Sequence, residues 1–519
     1  MKFKRLIYIF LAIVAVSICP SCDLDTEPTD ALSASLIFET AEGAQLALNG
    51  IYRALHEPGW SIGWEHENTG LFALSLVKSL NGEDHLMHSQ GSGWFYYDYA
   101  YWIDADFTSS AGRQYAQWIF NYTIISQTNY VIAHEDRFIA MGSGGKNVIA
   151  QAYALRAMAY TCLYEWFCQG NYVENSDAPG VPVYTEPTTM ATVGKPRGTV
   201  ADVFVRIHAD FQRAVDLFTE AGIGQAHSSQ IDLYAANLLW ARSAMITATT
   251  PEDWAKVGAL ANAALSKPGL SRVSTLSELG ALNNRNAPSI LWAFQVVDAQ
   301  AGEAGYFFGI MDPESSYGSS GPQCIDRWLY EQIPDSDLRK TGWWGFVTYM
   351  PDEPGYFDEY GRYWQIKFRF SDLTTSLGDG IFARAEEALL IAAEAACRQE
   401  DWATARQLLL ELGARRDPNY AARLATRTNS ASYNTNTRGA FTTLMDEILF
   451  QRRIELWSEG YGRVFDLRRL NLGYTRDYPN TNHTAMMTMQ PNDLRFVLRI
   501  PQREIDSNPN INLSDQNPR

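Results

Sequence analysis

Cysteine is scarce in this chain, six among 519 residues, and the scarcity excludes a disulfide-stapled fold. Two of the six, Cys19 and Cys22, fall in the first 22 residues, where a CxxC spacing has no folded context for zinc or redox work. The other four, Cys162, Cys168, Cys324 and Cys397, show no metal-ligand spacing and are expected as core thiols. Histidine is also rare, with eight copies. His85 and His88 stand beside Glu83 and Asp84, but no third ligand follows at zinc spacing. Asp352, Glu353, Asp358 and Glu359 share a loop without the alternation of a calcium-binding EF-hand. Positive charge is short as well: 42 Lys and Arg face 59 Asp and Glu, leaving a net charge of −17. Such a polyanion repels phosphate backbones, so nucleic acid is excluded as a partner. No GxSxG elbow, phosphate-cradling loop or dinucleotide fingerprint occurs, and no cofactor is expected.

An apolar run long enough to cross a bilayer is missing too. The stretch from Leu6 to Val16 is too short for a span, and it follows Lys2, Lys4 and Arg5. A basic start, an apolar centre and a small residue before Cys22 read as a lipoprotein signal over 1–21, with Cys22 as the acylated N-terminus. Residues 22–30 then carry four acids and a proline, which makes an extended, lipid-anchored tether.

What the chain does have is helical periodicity. Val200, Val203, Phe204, Ile207, Phe211, Ala214, Val215 and Phe218 form one stripe behind Thr199 as N-cap. A helix over 232–247 and another opened by Thr250-Pro251-Glu252-Asp253 make a hairpin, and 384–398 with 402–412 repeat it with an alanine-rich seam. Further helices are expected over 40–55, 113–134, 147–168 and 441–459. The spacing of the copies is irregular, so the reading is mostly α: tetratricopeptide-like helical hairpins in one large domain, without a regular solenoid. Blocks 56–112 and 280–382 break into Gly, Pro, Asn, Asp and aromatics, as long irregular loops on which function concentrates.

The run Arg384-Ala385-Glu386-Glu387-Ala388-Leu389-Leu390, the segment Gln451-Arg452-Arg453-Ile454-Glu455-Leu456-Trp457-Ser458-Glu459-Gly460, and Phe465-Asp466-Leu467-Arg468-Arg469 follow one another in order. Together with Ile500-Pro501-Gln502-Arg503-Glu504-Ile505 and upstream Gly50-Ile51-Tyr52, Pro196-Arg197-Gly198-Thr199 and Asp335-Ser336-Asp337-Leu338-Arg339, they resemble the SusD/RagB family of outer-membrane lipoproteins. The resemblance spans 31–519, with an N-terminal helical part over 31–280 and a C-terminal part over 281–519. It implies a surface protein without catalytic activity that captures oligosaccharide, or in some members peptide, for a SusC-like TonB-dependent transporter. The charged signature residues, spaced three and four apart, are expected as ion pairs that lock helices together.

The ligand candidates are aromatic. Trp94, Phe95, Tyr96, Tyr97, Tyr99, Tyr101 and Trp102 crowd nine positions after Gly91-Ser92-Gly93. The second block adds Tyr317, Trp343 and Trp344, with Trp328 nearby. Sugar C–H faces pack on such rings while phenol hydroxyls bond sugar hydroxyls. Alternation at Tyr97, Tyr99 and Tyr101 would equally suit a strand with one buried face. Glu83, Asp84, Asp98 and Asp104 are candidate polar partners. The rival reading is a secreted helical glycoside hydrolase, in which Glu65, Glu67, Glu83 or Asp84 supplies the carboxylate pair.

Overall fold

The computed structural model describes residues 37–57, 70–90, 94–101, 109–110, 112–302, 307–345 and 361–518. The leader, Cys22 and its tether, Glu65, Glu67, the 91–93 run, Trp102, Asp104, Asp352, Glu353, Asp358 and Glu359 lie outside them.

The long helices are α1 (Ala41–Ala54), α2 (Gly70–Leu80), α3 (Gly112–Ile132), α4 (Ser143–Phe167), α5 (Val200–Ala221), α6 (Leu233–Thr247), α7 (Pro251–Leu265), α8 (Ala385–Arg398), α9 (Trp402–Gly413), α10 (Leu444–Glu455) and α11 (Arg463–Arg469). Their boundaries follow local chemistry. In α5, Thr199 and Asp202 form a capping box, Gly222 closes the C-terminus in the left-handed region, and the apolar stripe is buried. Thr250 and Asp253 cap α7 in the same way behind Pro251. From α3 to α9 each helix packs on the next, and α1 also lies on α4. Each hairpin thereby buries the apolar face its neighbour leaves open, as expected of tetratricopeptide-like stacking.

Residues 266–384 are looped out between α7 and α8, which pack together all the same. The first loop block holds a helix that the sequence pattern concealed. In α2, Ala73, Leu76, Val77 and Leu80 recur at three and four on one buried side, but the stripe is short and Leu71, buried opposite them, interrupts the polar face of Ser75, Lys78 and Ser79. Gly70 opens that helix with φ 56°, and a Cβ there would meet Leu55 O at 2.1 Å. Leu71 N–H donates to Leu55 O at 2.8 Å across this close approach, seating α2 on the end of α1.

Strands are few and short: β1 (His85–Met87), β2 (Ile290–Phe294), β3 (Gln323–Ile325), β4 (Gly380–Arg384), β5 (Tyr474–Thr475) and β6 (Thr488–Met489). They pair antiparallel as β1 with β3, β2 with β4 and β5 with β6. The first pair clamps the first loop block to the second.

The signature charges form buried ion pairs, as expected, most of them between distant segments and one, Arg469 with Asp466 at 2.8 Å, along α11 itself. Glu455, at the end of α10, accepts hydrogen bonds from Arg339 Nη1 (2.8 Å), Arg384 Nη1 (2.7 Å) and Arg416 Nη2 (2.8 Å). Glu459 takes Arg384 Nε at 2.7 Å and Lys367 Nζ at 2.5 Å. Arg469 holds both Glu394 oxygens at 2.7 Å, joining α11 to α8. Among the described residues the cysteines are buried free thiols.

Candidate functional site

The two loop blocks meet along β1 and β3, whose register sets His85 opposite Ile325 and Met87 opposite Gln323. The contact continues past the strands, with His88 N–H donating to Pro322 O at 3.0 Å and Ser89 Oγ donating to Ser320 O at 2.9 Å. It ends at two rings. Trp94, from the first block, stacks on Tyr317, from the second, with centroids 4.7 Å apart and planes 27° from parallel. Both are half-buried, and Ser316, Ser319, Ser320 and Gln90 are exposed in the same two segments.

Each ring rides on a segment held by its own backbone bonds. Ser315 Oγ donates to Gly309 O at 2.5 Å and to Asp312 O at 2.9 Å while accepting from Gly318 N–H at 2.8 Å. The Asp312 carboxylate in turn accepts from Phe370 N–H at 3.0 Å and Arg369 Nε at 3.2 Å. On the other side, the short helix Tyr96–Ala100 is flanked by Phe95 and Tyr101, both in the left-handed region at φ 59° and 51°. Non-glycine residues adopt that conformation only where the surroundings enforce it. Here Phe95 is buried with the Arg113 guanidinium 5.4 Å from its ring centroid. Two strained positions thus aim one turn of helix beside Trp94.

The other aromatic candidates divide. Tyr96 and Tyr97 stay half-buried two and three positions after Trp94, and Gln90 Nε2 donates to the Tyr97 hydroxyl at 3.4 Å. Residues 96–100 are helical, so the strand alternative does not hold. Tyr99 and Tyr101 are buried and correct the expectation of ligand-facing rings. The Tyr99 hydroxyl accepts from Thr484 N–H at 2.9 Å, and the Tyr101 hydroxyl donates to Asn81 O at 2.9 Å. Trp343 and Trp344 are corrected likewise, each 1% exposed. Residues 361–368 close over them, with Ile366 N–H donating to Trp343 O at 2.8 Å. Lys367 Nζ sits 4.4 Å from the Trp343 ring centroid, and Trp344 meets Trp457 edge-on. Trp328 lies under the guanidiniums of Arg453 and Arg438.

The acidic candidates are structural. Glu83 is ringed by Arg463 (2.5 Å), Arg438 (3.3 Å) and Arg453 (3.5 Å), and Asp84 pairs with Arg453 at 2.5 Å. Burial works against the charge on Glu83, yet the three guanidiniums hold its carboxyl below the usual range. Asp98 accepts from Arg113 Nη2 at 2.8 Å. Among the described residues no group of three or more His, Cys, Asp or Glu is placed to hold a metal ion.

His85 lies in β1, and His88 follows the strand's end. Its Nε2 is 2.9 Å from Gln323 Oε1 and its Nδ1 3.0 Å from Ser79 Oγ. Burial pushes its pKa down to about 3. Between that value and the ordinary 6.5 the unfolded chain binds the extra proton, so stability falls on acidification through this window. At pH 5 the loss from this one group is about 2 kcal/mol. Urea midpoints at pH 7 and pH 5 are expected to move apart more in the wild type than in His85→Gln; equal differences would remove His85 as the cause.

A family model described as the SusD family matches residues 353–519, and a second, described as starch-binding associating with outer membrane, matches residues 83–237. The second stretch contains Trp94, and neither contains Tyr317. A SusD-like carbohydrate binding protein from Bacteroides vulgatus shares the fold with a TM-score of 0.72 at 23% identity, over 92% of this chain and 98% of its own. A SusD superfamily protein from Bacteroides thetaiotaomicron gives 0.70 at 20%, over 92% and 100%. Surface glycan-binding protein A from Bacteroides uniformis gives 0.65 at 18%, over 92% and 99%. No curated protein matches the chain.

Proposed function

Because the chain belongs to the SusD family, we propose that it is a glycan-binding lipoprotein of the outer-membrane surface. It captures oligosaccharide and passes it, uncleaved, to a SusC-like TonB-dependent transporter. Residues 1–21 serve as the signal, Cys22 carries the lipid, and 22–30 tether the domain of residues 31–519. The observation that carries this reading is the stacked pair of Trp94 and Tyr317, two partly open rings brought together by both loop blocks. A pair of ring faces is suited to the C–H faces of a sugar, and the serines and Gln90 beside it suit sugar hydroxyls. Tyr96 and Tyr97, half-buried in the same segment as Trp94, are further candidates for the platform.

The hydrolase reading loses support from the placement of its described carboxylates. A general acid needs a raised pKa and a free approach to the glycosidic oxygen. Glu83 and Asp84 instead lie inside arginine cages, and Glu83 is held ionised.

The test is electrophoresis of the folded chain through native gels containing plant and host polysaccharides, with a reducing-end assay on the same mixtures. Retardation by at least one glycan with no new reducing ends is the expected result. Release of sugar would move the protein to the hydrolases, and retention of peptides in place of every glycan would make it a peptide-capturing member.

A further inference from the structure

A second aromatic groove lies on the helical scaffold, built from residues that take no part in the Trp94 platform. One turn after another, α3 sends Tyr115, Trp118 and Tyr122 to one side, at the spacing of a single helical stripe. Tyr184 faces them from the segment that follows α4, and the short helix Gln502–Ser507 closes the groove with Arg503 and Glu504. The cavity holds about 350 Å³, within the roughly 300–1,000 Å³ usual for small-molecule sites.

The polar tips of Trp118, Tyr122 and Tyr184 are already engaged by the protein. Tyr122 donates its hydroxyl hydrogen to Pro182 O at 2.8 Å, and the Tyr184 hydroxyl accepts from Lys195 N–H at 2.8 Å. Trp118 Nε1 donates to Glu504 Oε2 at 3.3 Å. Trp118 and Tyr122 sit 4.8 Å apart, and Tyr184 stands edge-on to Tyr122 at 5.9 Å. What the rings offer a ligand is therefore their faces, in fixed orientation, at little cost in ordering. Tyr115, Tyr122 and Tyr184 remain partly open.

The rim carries one charge of each sign. Arg503 lays its guanidinium 4.4 Å from the centroid of the Tyr115 ring, and among the described residues it makes no ion pair and no side-chain hydrogen bond. Glu504 accepts from Trp118 and from Asn508 Nδ2 and keeps lone pairs to spare. A bound cation would meet Arg503 and a bound anion Glu504. A neutral polyol satisfies both, since each hydroxyl donates to the carboxylate or accepts from the guanidinium while its C–H face covers a ring.

From this geometry we infer that the groove between α3 and the helix Gln502–Ser507 is a second binding site, for one or two units of a neutral oligosaccharide. The inference rests on the glycan-binding reading above and extends it: two sites on one domain hold a long chain more tightly than a short one.

The test begins with a glycan array to identify a neutral ligand of the wild type, followed by calorimetry with its short oligosaccharide and native gels with the parent polysaccharide. Variants are Tyr115→Ala with Arg503→Ala, and Ser507→Trp, which fills the groove from an exposed position without touching the core. Both are expected to weaken retention by the polysaccharide about tenfold. Binding of the short oligosaccharide at the platform should persist, with one site fewer in the stoichiometry and melting temperatures unchanged. Wild-type retention in both variants, with all binding lost in the Trp94→Ala, Tyr317→Ala protein, overturns the second site and leaves the first standing. Failure of the wild type to bind any glycan overturns the glycan reading itself.

Discussion

Trp94→Ala combined with Tyr317→Ala is expected to weaken glycan binding by about 30- to 150-fold, the equivalent of roughly 2–3 kcal/mol for two stacking rings. Calorimetry with the best array ligand measures it. The two rings touch at 4.7 Å, so the single substitutions should not add: removing Trp94 leaves Tyr317 without the neighbour that fixes its plane. Fold stability should change little, because both rings are only half-buried. Trp343→Ala is the contrasting case. That ring is 1% exposed and packed against Lys367 and Trp344, so its removal leaves a cavity that costs about 3–5 kcal/mol of stability. A Trp343 variant that keeps its fold should keep its affinity. The opposite pattern, lost affinity in Trp343→Ala and none lost in the double variant, would return the binding site to the tandem tryptophans.

That contrast marks where the sequence was legible. Helices with a stripe and caps were readable to within a few residues: Thr199, Asp232 and Thr250 each sit at the N-cap of the helix expected behind them. The concealed helix α2 carries only a short stripe, Ala73, Leu76, Val77 and Leu80, and it lies inside a block otherwise marked by glycine, proline and aromatics. The aromatic blocks were found, but their rings could not be sorted. Trp94 and Trp343 look alike in sequence, each next to another aromatic and close to glycine. What separates them is that residues 361–368 close over Trp343 while Trp94 meets Tyr317, and both contacts join stretches of chain far apart in sequence. Tyr115, Trp118 and Tyr122 were readable as a stripe on an expected helix, the pattern that ordinarily means core. Only the position of the C-terminal helix Gln502–Ser507 turns that stripe into the floor of a groove.

The charges show the same division, and they carry the second large prediction. In Glu455→Gln three guanidiniums would converge on a neutral amide, and its NH₂ group would point donors at donors. Around this point Arg339, Arg384, Arg416 and Lys367 face Asp337, Glu386, Glu455 and Glu459, all of them buried except Glu459, whose side chain keeps 13% exposure. Burial opposes the charge on Glu455, yet Arg416 and Arg384 hold its carboxyl well below the normal range, so the site depends on its remaining ionised. Removing one partner from a buried ion cluster costs about 3–5 kcal/mol, since the charges left behind cannot rehydrate. Here the loss is expected at the upper end of that range, because one carboxylate ties together the strand–helix junction at Arg384, the helix at Arg339 and the turn at Arg416. The exposed pair Lys146–Glu220, joined at 2.8 Å with half of the Glu220 side chain in solvent, is the control: Glu220→Gln should leave the urea midpoint almost where it is, because water screens and replaces the lost partner. Urea denaturation of the two variants compares them directly. Similar midpoints would mean that the cluster is solvated in solution and that hairpin packing alone holds the loop segment 266–384 in place. A collapse confined to Glu455→Gln would make this carboxylate the pin that fixes the loops, and with them the position of Tyr317 against Trp94.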